Sequence, residues 1–262
     1  MTKTEILDKR ASTAEERVTL ARILDLAERS YRRSQPEHSS FLSPAEQAAA
    51  GDVLRMYGGG EHSFSGGFDG AERAVCLFMP DWMDAADAEN EAICAVEAVL
   101  PRGAEAGHRD VLGSLMGLGL KRETVGDIIP GEGRVQAVIL RSALGIVLSQ
   151  WESIGRYSIE PREIPLADLC VKLPETREIT ATVQSLRLDS VLACGFSISR
   201  SKAAELIAAG RVSVGHRECA KADAQVSEGA VLSCRGLGKC VLSEVSGISR
   251  KGRTVIKMHR YI

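Results

Sequence analysis

His108-Arg109-Asp110 carries the residue types of a phosphoryl-transfer catalytic loop, whose aspartate accepts a proton from the attacking hydroxyl. That loop also needs an asparagine five residues after the aspartate. Position 115 is leucine, and no Asp-Phe-Gly follows. Asp110 therefore reads as the start of a helix. Arg109, with Lys121 and Arg122, then forms either a basic patch or ordinary solvated helix ends. The glycine-rich stretch GGGEHSFSGG (58–67) lacks the closing Gly-Lys-Ser/Thr of a phosphate loop and does not follow a strand. His62 within it has no paired nucleophile nearby in sequence. The seven cysteines (76, 94, 170, 194, 219, 234, 240) show no C-x-x-C pair and no histidine at zinc-site spacing. They read as small buried hydrophobes, so neither a metal nor a cofactor is expected.

What remains is cations aimed at an anion. The stretch SISRSKAAELIAAGRVSVG (197–215) holds a helix start, a helix, a stop and a strand. Ser199 is the predicted N-cap, Ala203, Leu206 and Ile207 the apolar stripe, and Gly210 the left-handed stop. Val212 and Val214 then alternate inward, as in a strand. A helix N-terminus carries roughly half a positive charge, so Arg200 and Lys202 oppose the helix they begin. A phosphate bound there would explain them. Two stray surface cations would cost only a few tenths of a kcal/mol each.

Charge segregation points the same way. Residues 178–262 carry 13 Lys and Arg against 7 Asp and Glu, although the whole chain has a net charge of −2. The last 16 residues, GISRKGRTVIKMHRYI, hold five basic residues and no acid. A basic C-terminal module meeting a polyanion fits this pattern, as does a solvated basic surface. The 262 residues allow one large domain or two to three small ones. The charged N-terminus, MTKTEILDKR, is no secretory signal, and no apolar run nears a membrane span. A cytoplasmic protein is expected.

The elements that must position these residues follow from periodicity. Residues 1–55 read as helices, with Val18, Leu20 or Ala21, Leu24 and Ala27 along one stripe, and Ser43-Pro44 opening another helix. From residue 71 strands and helices alternate. RAVCLFMP reads as a strand, DAENEAICAVEAVLP (87–101) and HRDVLGSLMGLGL as helices, and VGDIIP and VQAVIL as strands. The predicted fold class is α+β. It comprises a helical N-terminal segment (1–70), a central α/β sandwich with an RRM-like layout (71–177) and a basic C-terminal module (178–262). Only 11 of 262 residues are aromatic, so the central domain is not expected to stack bases as an RRM does.

The segment SLRLDSVLA…SISRSKAAELIAAGRVSVG closely resembles the S4 domain, a small RNA-binding module. The resemblance rests on Arg187-Leu188-Asp189, Ser199 to Ala203, Leu206-Ile207, Gly210 and Val212-x-Val214. Two turn positions depart from that pattern: Ala230 replaces a usual aspartate, and Gly215-His216 stands where Asn-Gly is common. With GGFDGAERAVCLFMPDW and GHRDVLGSLMGLGLKRETVGDII, the whole chain resembles the YlmH family of bacterial S4 proteins. That resemblance implies a ribosome-associated protein linked to quality control of stalled large subunits, and sometimes grouped with cell-division genes. Arg187-Leu188-Asp189 also matches the catalytic motif of pseudouridine synthases, but their S4 domain precedes the catalytic domain, whereas here it ends the chain.

The expectation is thus a non-catalytic protein that binds structured RNA, ribosomal RNA or tRNA on the large ribosomal subunit. No membrane or small-molecule cofactor is involved. Arg187, Arg200, Ser201, Lys202 and Arg211 are expected to form the main surface, with Arg235 and Lys239 at its edge and Arg109, Lys121 and Arg122 as a second patch. The competing readings are an RNA-modifying enzyme with its active site in the central domain, and a cell-division adaptor docking through its acidic N-terminal half.

Overall fold

Side-chain caps set the first helix starts. In the computed structural model, which describes every residue except 59, 173, 174, 250 and 251, the Thr2, Thr13 and Ser43 hydroxyls accept from backbone amides three residues on. Pro44 follows at the first helical position. The chain divides into two compact units, Met1–Val171 and Lys172–Ile262.

The first unit opens with α1 (Lys3–Arg10), α2 (Ala14–Arg33), β1 (Glu37–His38), α3 (Pro44–Tyr57), β2 (His62–Ser65) and β3 (Val75–Phe78). Leu20, Ile23, Leu24 and Ala27 form the buried stripe of α2 and pack on Ile6, Val53 and Leu54. Val18, expected in that stripe, is 52% exposed. The strand β3 pairs antiparallel with both β1 and β2. The strand expected to open the central domain therefore belongs to the sheet before it, and a cut after residue 70 would pass through that sheet.

Residues 87–101, expected as one helix, split into the end of α4 (Ala85–Ala92) and β4 (Ile93–Val99). The reason is burial on both faces: residues 93–98 of β4 are all buried, and an apolar run without alternation does not distinguish strand from helix. The chain continues through α5 (His108–Gly117), β5 (Val125–Gly131), β6 (Arg134–Leu140), α6 (Leu144–Gln150), the small hairpin β7 (Ser153–Ile154) and β8 (Tyr157–Ser158), and β9 (Pro161–Ile164). The sheet order is β5-β6-β4-β9, with every pair antiparallel. This β-α-β-β-α-β path is the RRM-like layout expected.

The helices cover one face of this sheet, where Val96, Ala137 and Ile139 meet Val111, Leu115, Val147 and Trp151. The other face is the one an RRM offers to RNA. Here Ile93, Val138 and Leu140 pack under Val75, Leu77, Ala88 and Ala92. The rest of that face centres on Glu97, 3% exposed. Its carboxylate accepts from Arg162 at 2.6 Å, Gln136 at 2.9 Å and Arg134 at 3.4 Å. Gln136 in turn accepts from the Cys170 amide at 2.7 Å. Burial alone would push the Glu97 carboxyl up, but bonds from Arg162 and Gln136 hold it below the usual range. No aromatic residue stands in β4 or β6. The aromatic platform on which an RRM stacks bases is absent from these two strands.

The second unit runs β10 (Thr176–Val183), α7 (Leu188–Phe196), α8 (Arg200–Ala208), β11 (Val212–Val214), β12 (Arg217–Glu218), β13 (Val231–Cys234), β14 (Gly238–Ile248) and β15 (Thr254–Tyr261). Its sheet order is β10-β15-β14-β13-β11-β12. Pairing of β10 with β15 begins at Thr176↔Tyr261, so a boundary at 178 falls inside a strand. Val191, Leu192 and Phe196 of α7 and Leu206 and Ile207 of α8 share a core with Leu232, Leu242, Ile256 and Met258. Gly195 makes the close helix–sheet approach possible, since a Cβ there would sit 2.9 Å from Cys240 Sγ. The two-residue turn between β11 and β12 places Gly215 and His216 at φ 56° and 65°. Both lie in the left-handed region that the tight hairpin requires. Arg250 and Lys251 of the basic tail lie outside the described residues. Among the described residues no helix is long and apolar enough to cross a membrane.

Glu97→Ala removes a buried acceptor shared by three donors, and is expected to lower the stability of the first unit by about 1–3 kcal/mol. Chemical denaturation followed by circular dichroism measures this. An unchanged midpoint would show that the network does not hold the sheet face.

Candidate nucleic-acid interface

A buried acid organises the cations of the second unit. Asp189, in the first turn of α7, is 5% exposed. Its oxygens accept from Arg200 Nε at 3.0 Å and Nη2 at 2.9 Å, and from Arg187 Nη2 at 3.1 Å. Ser190 adds a hydroxyl donor at 3.2 Å. Burial by itself would raise the Asp189 pKa, but the two guanidiniums more than offset it and hold it below the usual carboxylate value. Both arginines keep their outer edges in water, with side-chain exposures of 36% for Arg187 and 55% for Arg200. A guanidinium has five N–H donors in a rigid fork, so one edge can grip Asp189 while the rest face outward.

This geometry changes the argument about the helix start. Ser199 is the N-cap of α8, and its Oγ accepts from the Lys202 amide at 3.2 Å. The anion opposite Arg200 is supplied internally by Asp189, and Lys202 pairs with Glu205 at 2.9 Å. An external phosphate is therefore not needed to account for cations there. Ser201 shares a hydrogen bond of 3.1 Å with Ser199 at the same helix end.

The other predicted cations lie at the far end of α8. Arg211 reaches across the 235–238 turn, donating to the Arg235 carbonyl at 2.6 Å, and the Arg235 amide returns a bond to the Arg211 carbonyl at 2.9 Å. Gly236, at φ 89°, leaves room for that crossing, since a Cβ would stand 2.9 Å from Arg211 Nη2. The Lys239 ammonium sits 4.9 Å from the centre of the Tyr261 ring. Tyr261 escaped the sequence reading because only the pairing of β14 with β15 brings it there. The nine residues of α8 separate the two groups by about 13 Å at 1.5 Å per residue.

The three cations named in the first unit do not form one patch. Arg109 is exposed in the first turn of α5, while Lys121 is exposed beyond its other end. Ten helical residues, about 15 Å, lie between them. Arg122 turns inward: Nη1 donates to the carbonyls of Val125 and Gly126. Burial, and then the neighbouring charge of Arg73, lower its pKa. Arg122 thus closes the loop before β5 and is removed from the candidate interface. Asp110 does start α5, accepting from the Gly107 amide at 2.8 Å.

Among the described residues no cluster of histidine, cysteine and acid is arranged to hold a metal. Cys76, Cys94, Cys234 and Cys240 are buried, whereas Cys170 is exposed, against expectation. Burial pushes the Cys76 thiol up to about 12. Such a thiol is a poor nucleophile or ligand.

Three family profiles match the chain: "YlmH, N-terminal" over residues 15–80, "Putative RNA-binding domain in YlmH" over 100–168, and "S4 domain" over 186–232. A Bacillus subtilis (strain 168) protein named "Ribosome-associated protein quality control protein P2" is 32% identical over 222 residues, covering 85% of this chain and 86% of that one. The chain belongs to the YlmH family. The solved structure of "Cell division protein ylmH from Streptococcus pneumoniae" shares the fold, with a TM-score of 0.51 and 23% identity over 60% of this chain and 94% of that one. YlmH membership and the S4 domain give the chain an RNA-binding role. The S4 profile spans Asp189, Arg200, Lys202 and Arg211, but ends before Arg235 and Lys239.

Asp189→Asn separates held geometry from bulk charge. It removes a negative charge, so charge alone would strengthen RNA binding. Loss of the clamp is expected instead to weaken it roughly threefold to tenfold, on the order of 1 kcal/mol. Filter binding to a hairpin RNA at fixed salt decides the sign. The native pKa of Asp189 lies below its unfolded value, so its stabilisation is present above that unfolded value and is lost as pH falls through the native one. Acid titration between about pH 5 and pH 2 should therefore destabilise the wild type more steeply than Asp189→Asn.

Proposed function

We propose that this YlmH-family chain is a non-catalytic cytoplasmic protein that grips structured RNA by its phosphates, on the large ribosomal subunit and in ribosome quality control. The RNA is ribosomal RNA or tRNA. The observation that supports this most is the pair of guanidiniums, Arg187 and Arg200, locked by one buried carboxylate with their outer edges in solvent. Arg187, Arg200, Ser201 and Lys202 form one end of the surface. Arg211 forms the other, with Arg235 and Lys239 beside it. The paucity of aromatics favours contacts to phosphate and shape over base stacking. In the first unit, exposed Arg109 and Lys121 remain as separate contacts that add selectivity for the site. The ribosomal setting is carried over from the B. subtilis relative, whose name places it with the ribosome.

The decisive experiment is salt dependence. Log affinity for a hairpin RNA should fall by about 0.7–0.9 per decade of salt for each phosphate neutralised. Arg200→Ala should flatten that slope by roughly one contact. Arg122→Ala should leave it unchanged. A slope near zero in the wild type would sink the phosphate reading.

Catalysis is tested separately. Mass spectrometry of ribosomal RNA and tRNA from cells with and without the gene is expected to give identical modification profiles. One modification lost on deletion would install the enzyme in place of the binder.

A further inference from the structure

The first unit displays aromatic surface that its own core does not use. Tyr31, in the last turn of α2, is 78% exposed, and Trp82, after β3, is 68% exposed. They line a single cleft of about 230 Å³ with Ser30, Ser34, Met79 and Pro80. The Trp82 ring is not loose: its Nε1 donates to the Ser34 carbonyl at 3.2 Å. An indole fixed by a hydrogen bond while two-thirds in water is a preformed platform. Its ordering cost is already met before any partner arrives.

The charge around the cleft selects the partner. Glu61 and Asp81 also line it, and both are exposed. Among the described residues neither side chain makes a hydrogen bond or ion pair, and neither belongs to the helix caps. No lysine or arginine occurs between Arg73 and Arg102, whereas that stretch contains six acids. Of the arginines at the end of α2, Arg29 pairs with Glu37 and Arg32 with Glu28, and with Arg33 they line another cleft, beside His38. A nucleobase could stack on Trp82, but its phosphates would meet Asp81 and Glu61. A cation over an aromatic face, with carboxylates at the rim, is attracted by both the ring and the acids.

We propose that this cleft receives a lysine or arginine side chain of a basic protein segment, with Trp82 and Tyr31 as its walls and Asp81 and Glu61 as its counter-ions. The volume suits one long side chain inserted from a neighbouring surface. The site is independent of the cations of the second unit, so its success or failure leaves the RNA reading untouched.

The chain has two tryptophans, and Trp151 is 1% exposed. Quenching of fluorescence by acrylamide therefore reports on Trp82. Hexalysine, added to the full chain, is expected to protect Trp82 from acrylamide, while hexaserine and oligouridylate do not. Trp82→Leu and the pair Asp81→Asn with Glu61→Gln should each weaken binding of labelled hexalysine by at least about fivefold, in line with a desolvated cation–π contact. The charge-matched pair Glu105→Gln with Glu132→Gln, outside the cleft lining, should weaken it by less than about twofold. Equal loss in both pairs would reduce the effect to general attraction by an acidic surface and overturn the site. Protection by oligouridylate instead of hexalysine would also overturn it, in favour of base stacking.

Discussion

One carboxylate, Asp189, cannot be buried alone. An unpaired charge in an apolar surround would cost several kcal/mol or drive the group to neutralise. Two guanidiniums solve that problem, and in doing so they tie the start of α7 to the start of α8. The helix pair is thus fixed at the end where its amides point outward. Lysine would not serve equally, because a point charge with three rotatable donors has no second rigid edge left to present. The constraint that makes the helix pair stable is the same one that aims its cations. In the RNA contact proposed above, stability and recognition share a residue.

The first unit shows the opposite case, in which a familiar layout has lost the surface that usually gives it a function. The strand order β5-β6-β4-β9 would place base-stacking aromatics on β4 and β6. Glu97 and Gln136 stand there instead, bonded to Arg162, Arg134 and the Cys170 amide. The neighbouring part of the face is covered by β3 and α4. A fold therefore predicts only where a site would be, and the side chains decide whether one exists.

Local features were legible in the sequence because local chemistry determines them. Ser43 and Ser199 cap helices through an amide three residues away, and Gly210 stops α8 because its φ of 65° suits glycine. The S4 motif was legible for the same reason, as a helix–turn–helix–strand held within about thirty residues. What failed was non-local. Residues 93–99 were expected to be helical, since a strand buried on both faces has no alternation to reveal it. The allegiance of β3 to β1 depends on pairing across more than thirty residues. Arg122 has the same chemistry as Arg109, and only the carbonyls of Val125 and Gly126 turn it inward. Arg200 invited an external anion because its partner, Asp189, lies eleven residues earlier on another helix.

Charge segregation along the chain gains its meaning from this division into units. Residues 1–171 carry 18 Lys and Arg against 27 Asp and Glu, while residues 172–262 carry 15 against 8. At physiological ionic strength a charge is felt over about 8 Å, far less than the width of either unit. Each unit therefore meets partners through its own surface charge, and the near-neutral total is irrelevant to both. A basic unit attracts phosphates, whereas an acidic one disfavours the same RNA over most of its surface. The two units of such a chain are therefore drawn to surfaces of opposite charge before any specific contact forms. The clamp at Asp189 and the exposed Trp82 then lie on the units whose charge would carry each toward the matching kind of surface.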